Sequence, residues 1–168
     1  MKWIAISGSW RMINNKVEQD VRKEVREILN KEDGIITGGA LNVDYIATDE
    51  TLKQDPTVKR IKIFIPTTLE IYTRHYRKRA KEGVITEKQA EDLINQLELI
   101  KKINPSSLIE NTVNKLVDSQ AYFERNTEVI KAADRLVAFQ VNKSVGVADT
   151  IQKAEKKDIP VKKFDYTI

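Results

Sequence analysis

Three small-residue turns in this sequence carry groups suited to an anionic ligand: Gly8-Ser9-Trp10-Arg11, Thr37-Gly38-Gly39-Ala40 with Asp44, and Ser144-Val145-Gly146 with Asp149 and Thr150. Each follows a short apolar run, Ile4-Ala5-Ile6, Ile35-Ile36 and Leu136-Val137-Ala138-Phe139 respectively. Glycine lets main chain approach a ligand, and a helix N-terminus offers free N–H groups at the positive end of a dipole. Ser9 and Ser144 can hold phosphate by their hydroxyls, as can Thr150. Arg11 supplies charge. Trp10 offers a surface for stacking on a base or ribose, or else covers the edge of the core. The paired glycines of the second turn permit positive φ and close approach. Asp44, about one helical turn further on, suits ribose hydroxyls or a helix cap. Asp149 is read as the cap of the helix that follows it. Arg125-Asn126 adds a guanidinium for phosphate and an amide for base or ribose; a surface ion pair with Glu124 or Glu128 is the plainer alternative. A carboxylate in such a pocket could also stabilise an oxocarbenium-like transition state during N-glycosidic bond cleavage. Asp44, Asp149 and Glu124 are the candidates for that role.

Composition removes whole classes of chemistry. The chain has no cysteine, which excludes disulfides, thiol catalysis and cysteine-ligated metal centres. Its one histidine, His75, excludes a histidine-based metal site within one chain. No metal site or cofactor is expected, although Mg²⁺ held by carboxylates stays open. No stretch approaches the ~20 apolar residues of a membrane span, and the apolar run at the amino terminus is too short for a signal peptide. A cytoplasmic protein without membrane partners is expected. A net charge of +4 with a pI near 9.1 is mild and lends nucleic-acid binding little support by itself. The basic, aromatic-bearing run Arg74-His75-Tyr76-Arg77-Lys78-Arg79 through Lys81 is a candidate track for a nucleic-acid backbone. A solvated helix face is its more ordinary explanation, with His75 and Tyr76 alternatively leaning over the pocket mouth.

The elements that must position these groups follow from periodicity. Residues 2–7, 35–37, 61–65, 135–139 and 161–164 read as short buried strands. Val17, Val21, Val25, Ile28 and Leu29 keep helical spacing after an Asn cap at Asn14 or Asn15. Further helices are expected at about 43–53, 122–133 and 149–157. Residues 67–121 interrupt the alternation as a helical insertion. Within it, a helix spans 70–81, and a capping box opens a second at Thr86-Glu87-Lys88-Gln89. The apolar stripe of that second helix runs along Ala90, Leu93, Ile94, Leu97 and Ile100 and stops at Asn104-Pro105. Another helical stretch follows to about Val117. The stripe must bury against the chain's own sheet or a second subunit. The pattern predicts a single α/β domain over residues 1–168. Its fold is a Rossmann-like, doubly wound parallel sheet of about five strands with the helical insertion. Ligands of such sheets bind at the carboxyl ends of the strands. The first turn lacks GxGxxG, which argues against NAD.

Taken in order, Gly8-Ser9 with Arg11, Gly38-Gly39-Ala40 through Asp44 and Ala47, Arg125-Asn126, Ala133-Asp134, and Ser144-x-Gly146-x-x-Asp149-Thr150 resemble the SLOG superfamily. This Rossmann-like group includes the DNA-processing protein DprA (Smf) and the LOG nucleotide hydrolases. The similarity covers nearly all of the chain outside the insertion. The second turn is closer to the GGA-x-x-x-D form of DprA-like and YpsA-like members. Three departures stand out: Trp10 displaces the basic residue after Gly-Ser, Val147 replaces the Thr of the third turn, and Thr150 stands where LOG enzymes carry a catalytic Glu. The resemblance implies binding of a nucleotide or nucleotide-derived small molecule. It also implies a phosphate-binding loop and a homodimer or higher homo-oligomer. The alternatives are phosphoribohydrolase-like cleavage of an N-glycosidic bond and DprA-like binding of single-stranded nucleic acid. Gly8, Ser9, Trp10, Arg11, Gly38, Gly39, Ala40, Asp44, Arg125, Asn126, Ser144, Gly146, Asp149 and Thr150 are the expected ligand-binding residues.

Overall fold

In a computed structural model describing residues 1–168, β1 (Trp3–Gly8), β2 (Gly34–Thr37), β3 (Ile61–Phe64), β4 (Leu108–Ile109), β5 (Arg135–Val141) and β6 (Val161–Tyr166) form one parallel sheet. The strand order is β4-β3-β2-β1-β5-β6. Six helices surround it: α1 (Asn15–Asn30), α2 (Val43–Gln54), α3 (Leu69–Lys81), α4 (Glu87–Ile103), α5 (Ser119–Ala132) and α6 (Val145–Lys157). The chain moves outward from β1 through β2 and β3 to β4. It then crosses back through α5 to β5 on the other side of β1. The direction of winding therefore reverses between β1 and β5, where open α/β sheets bind ligands.

Alternation along the strands builds two cores. Ile4 and Ile6 face α1, α2 and α4, joined by Ile35, Ile61, Ile63, Val137 and Phe139. Ala5, Ile36, Leu136 and Ala138 face α5 and α6, against Val129, Ile130, Val147 and Ala154. Side chains one residue apart point to opposite faces of a strand, so both faces are apolar and each run reads as continuous. The helix borders follow local chemistry. Asn14 Oδ1 accepts the Val17 N–H at 3.0 Å, and Thr86 and Gln89 close the capping box in both directions at 3.0 and 2.9 Å.

The strand count departs from five. Leu108–Ile109 forms a sixth strand where a helical stretch to Val117 was expected. Pro105–Ser107 makes only a single 3₁₀ turn before it. The Ile65 N–H then donates to the Ile109 carbonyl at 3.0 Å. Two residues carry no readable alternation, and their pairing with β3 is purely tertiary. The apolar stripe of α4 is resolved too. Leu93, Ile94, Leu97 and Ile100 lie in the same core as β2 and β3, so the stripe's partner is the chain's own sheet. No helix is long and apolar enough to cross a membrane.

Leu97 is 1 % exposed. Leu97→Ala is expected to cost about 2–5 kcal/mol of unfolding free energy in urea denaturation. The loss should be independent of protein concentration. A loss that shrinks on dilution would place the stripe at a subunit interface.

Candidate functional site

The carboxyl ends of β1, β2 and β5 open into a cleft of about 500 Å³. Its floor is Gly8, Gly38, Ala40 and Asp44; Asn126 and Thr150 flank it, and Ser144, Val145 and Gly146 at the start of α6 close one side. Trp10, Arg11 and Arg125 line it as well. The fold thus gathers most of the three turns and the Arg125-Asn126 pair at one edge. His75, Tyr76, Arg79, Val84 and Ile85 arrive from α3 and the turn after it, facing Tyr122 and Phe123 of α5. Of these, the sequence pointed only to His75 and Tyr76 as pocket neighbours. The rest had no signal beyond the helical spacing of α3 and α5.

Asp44 organises the second turn. Its Oδ2 accepts the N–H groups of Gly38 at 3.1 Å and Ala40 at 3.2 Å. Arg125 lies across the same turn and donates through Nη1 to the Gly38 carbonyl. A Cβ on Gly38 would sit 2.5 Å from that guanidinium, so the glycine makes room for Arg125. Arg125 Nε also donates to Asn126 Oδ1 at 3.0 Å. Burial pushes the Asp44 carboxyl above the usual carboxylate range, while Arg125 and the N–H groups of Ala40 and Gly38 pull it back. The turn's anion-binding donors are therefore filled from within, by the protein's own carboxylate.

Several residues lie elsewhere than expected. Gly39 has φ +66°, and a Cβ there would meet Ile65 at 2.7 Å and Ile63 at 3.0 Å. Its carbonyl accepts the Tyr72 hydroxyl at 2.9 Å. Gly39 thus packs against the core and does not line the cleft; a large side chain there would break the turn, not merely fill a pocket. Ser9 is buried under its own turn, where its carbonyl accepts the Val43 N–H at 3.5 Å. Asp149 is not a cap, because α6 begins four residues earlier with Ser144 at the cap position. Its carboxylate takes Lys153 Nζ at 2.5 Å and Asn126 Nδ2 at 3.1 Å. Thr150 does line the cleft, but its hydroxyl donates to the Gly146 carbonyl at 3.0 Å. Glu124 accepts from Asn114 and Gln120 outside the cleft. All three carboxylates considered for N-glycosidic cleavage are therefore bonded within the protein, and Asp44 is the only one that lines the cleft.

The third turn is different. Asn14, Thr68, Thr86 and Asp118 cap α1, α3, α4 and α5 through their side chains, but Ser144 makes no such bond. The first-turn N–H groups of α6 have no side-chain partner, and Ser144, Val145 and Gly146 line the cleft. Gly146 is unlike Gly38 and Gly39, since nothing lies within 4 Å of where its Cβ would be. Arg11 is exposed, packs over Trp10 with its guanidinium 5.1 Å from the ring centroid, and makes no ion pair. The basic face of α3 is largely neutralised instead: Arg77 pairs with Glu91 at 2.9 Å, and Arg79 with Glu82 at 2.8 Å.

Asp44→Ala leaves the buried N–H groups of Gly38 and Ala40 without their acceptor and removes the negative charge near Arg125. A loss of about 3 kcal/mol in chemical denaturation is expected, with Asp44→Asn costing roughly half as much because its amide oxygen still accepts. Unchanged stability in Asp44→Ala would mean that the carboxylate serves a ligand, not the turn.

No family model and no curated protein sequence matches the chain significantly. Solved structures do. DNA processing protein A from Helicobacter pylori, studied for its single-stranded DNA binding mode, aligns over 95% of this chain and 63% of its own at 21% identity, with a TM-score of 0.67. The structural-genomics target TM1055 aligns over 96% and 72% at 14% identity, with a TM-score of 0.58. DNA processing protein A from Streptococcus pneumoniae aligns over 95% and 58% at 14% identity, with a TM-score of 0.53. The chain spans less than two thirds of either DNA processing protein A. It has the Rossmann-like fold found in DNA processing protein A, in agreement with the resemblance drawn from the three turns.

Proposed function

We propose that the cleft binds a phosphorylated, nucleotide-type small molecule, its anionic group resting on the N-terminus of α6 beside Arg11. Gly146 carries this reading. It lies in the first turn of a helix, and neither packing nor a left-handed backbone requires it. The space it leaves open faces the cleft, next to uncapped N–H groups and an unpaired guanidinium. A phosphate approaching there meets main-chain donors, the positive end of a dipole and a fixed charge together. Trp10, Tyr122 and Phe123 supply flat apolar surface for the rest of the ligand.

Single-stranded nucleic acid is the second reading, favoured by the Helicobacter pylori neighbour and its single-stranded DNA binding mode. The cleft groups that would take a terminal phosphate would then take a backbone phosphate. Arg77 and Arg79 on α3 contribute less than the sequence suggests, because each already holds a glutamate.

Calorimetry with a panel of nucleoside monophosphates tests the first reading. Gly146→Ala is expected to raise stability by about 0.4–1 kcal/mol while lowering affinity roughly tenfold or more, since its methyl group enters the anion's space. Arg11→Ala should weaken binding without loss of stability. Wild-type affinity in both variants would remove the ligand from this turn. Gel shifts with an oligonucleotide at low salt separate the two readings. A shift that disappears as salt rises, with no binding of any monophosphate, would favour nucleic acid.

A further inference from the structure

Two sets of groups line the cleft. The start of α6 and Arg11 supply main-chain donors and charge. His75, Tyr76, Val84 and Ile85, with Tyr122 and Phe123, make a largely aromatic and apolar set. We infer that this second set reads the ring of the ligand, with His75 as the residue that bonds to the ring edge. The inference rests on the anion-site reading above and adds what selects among anions.

His75 is half-buried and lines the cleft, and its imidazole makes no hydrogen bond within the protein. Its ring is fixed edge-on against Tyr76, with centroids 5.5 Å apart and planes at 88°. The neighbouring hydroxyls are already committed. Tyr72 donates to the Gly39 carbonyl at 2.9 Å, and the Tyr76 hydroxyl lies 3.2 Å from that of Tyr72. The guanidinium of Arg79 is held by Glu82 at 2.8 Å. His75 is thus a positioned polar side chain on an otherwise apolar or self-satisfied wall. Burial, then Arg79 and Lys78, lower its pKa against the pull of Glu82, so the imidazole is neutral at pH 7. A neutral imidazole presents one N–H and one lone pair. That pairing suits a heterocycle edge carrying donor and acceptor groups better than a phosphate, which gains more beside Arg11. The aromatic faces beside it give the ring its stacking surface. A cleft of about 500 Å³ has room for both halves of such a molecule. The ligand class this selects is a nucleoside monophosphate in preference to a sugar phosphate or a free inorganic anion.

Isothermal titration of the full chain with ribose 5-phosphate and with each common nucleoside monophosphate tests the assignment. The wild type is expected to bind at least one monophosphate roughly tenfold tighter than ribose 5-phosphate. His75→Ala should bring the two within about threefold of each other by weakening the monophosphate alone. Because the chain has one histidine, its imidazole NMR signals offer a readout in the unmutated protein. They should move on adding the monophosphate and stay in place on adding ribose 5-phosphate. Equal affinities for the two probes in the wild type, or equal losses for both in His75→Ala, would overturn the ring-reading role and leave the anion site standing. Binding of neither probe would overturn the anion-site reading, and this inference with it.

Discussion

The buried carboxylate of Asp44 ties the cleft to the fold. Asp44 is 5 % exposed, and such a group persists only with donors around it. The N–H groups of Gly38 and Ala40 supply them, which fixes the turn after β2, and Arg125 lies across that turn from α5. One acidic side chain thereby couples the start of α2, the end of β2 and the middle of α5, on both faces of the sheet. The motif that reads as a ligand cradle is, in the folded chain, a cradle already filled. Its structural role is to hold the turn after β2, and with it the floor of the cleft, in place.

The turn after β5 is the one of the three whose glycine has no internal partner. Four of the six helices have side-chain caps that satisfy N-terminal donors locally. The N-terminus of α6 has no such cap and lines the cleft, at a glycine that no internal contact requires. The aromatic wall is braced by the Tyr72 and Tyr76 hydroxyls, which connect α3 to the Gly39 carbonyl. With burial pushing both phenols above their ordinary range, they act as neutral hydrogen-bonding struts. The cleft is lined by Arg11 and the start of α6 and by aromatic side chains of α3 and α5, and its one lining carboxylate, Asp44, is already bonded within the protein.

Much of this was legible beforehand, for local reasons. The apolar runs marked β1, β2, β3, β5 and β6, the Asn14 cap and the Thr86–Gln89 capping box marked helix starts, and the stripe on α4 followed its period. What escaped was set at longer range. Leu108–Ile109 is too short to show a strand pattern and exists as one only through β3. Asp149 looked like a cap because it is an acid near a glycine. α6 instead begins at Val145, and the carboxylate turns toward Lys153 and Asn126.

The sequence by itself determined the class of fold and brought the three glycine-bearing turns to the carboxyl edge of the sheet, because strand periodicity and glycine turns are local properties of the chain. Only the tertiary structure decided which of the three turns remains open. Three motifs rich in glycine and hydroxyls look equivalent along the chain. Their difference lies in partners that arrive from far away: Arg125 over Gly38, Ile63 and Ile65 against Gly39, and nothing at all against Gly146. Whether a donor is free is a property of its neighbours in space, and that is why only the folded chain distinguishes the start of α6 from the other two turns.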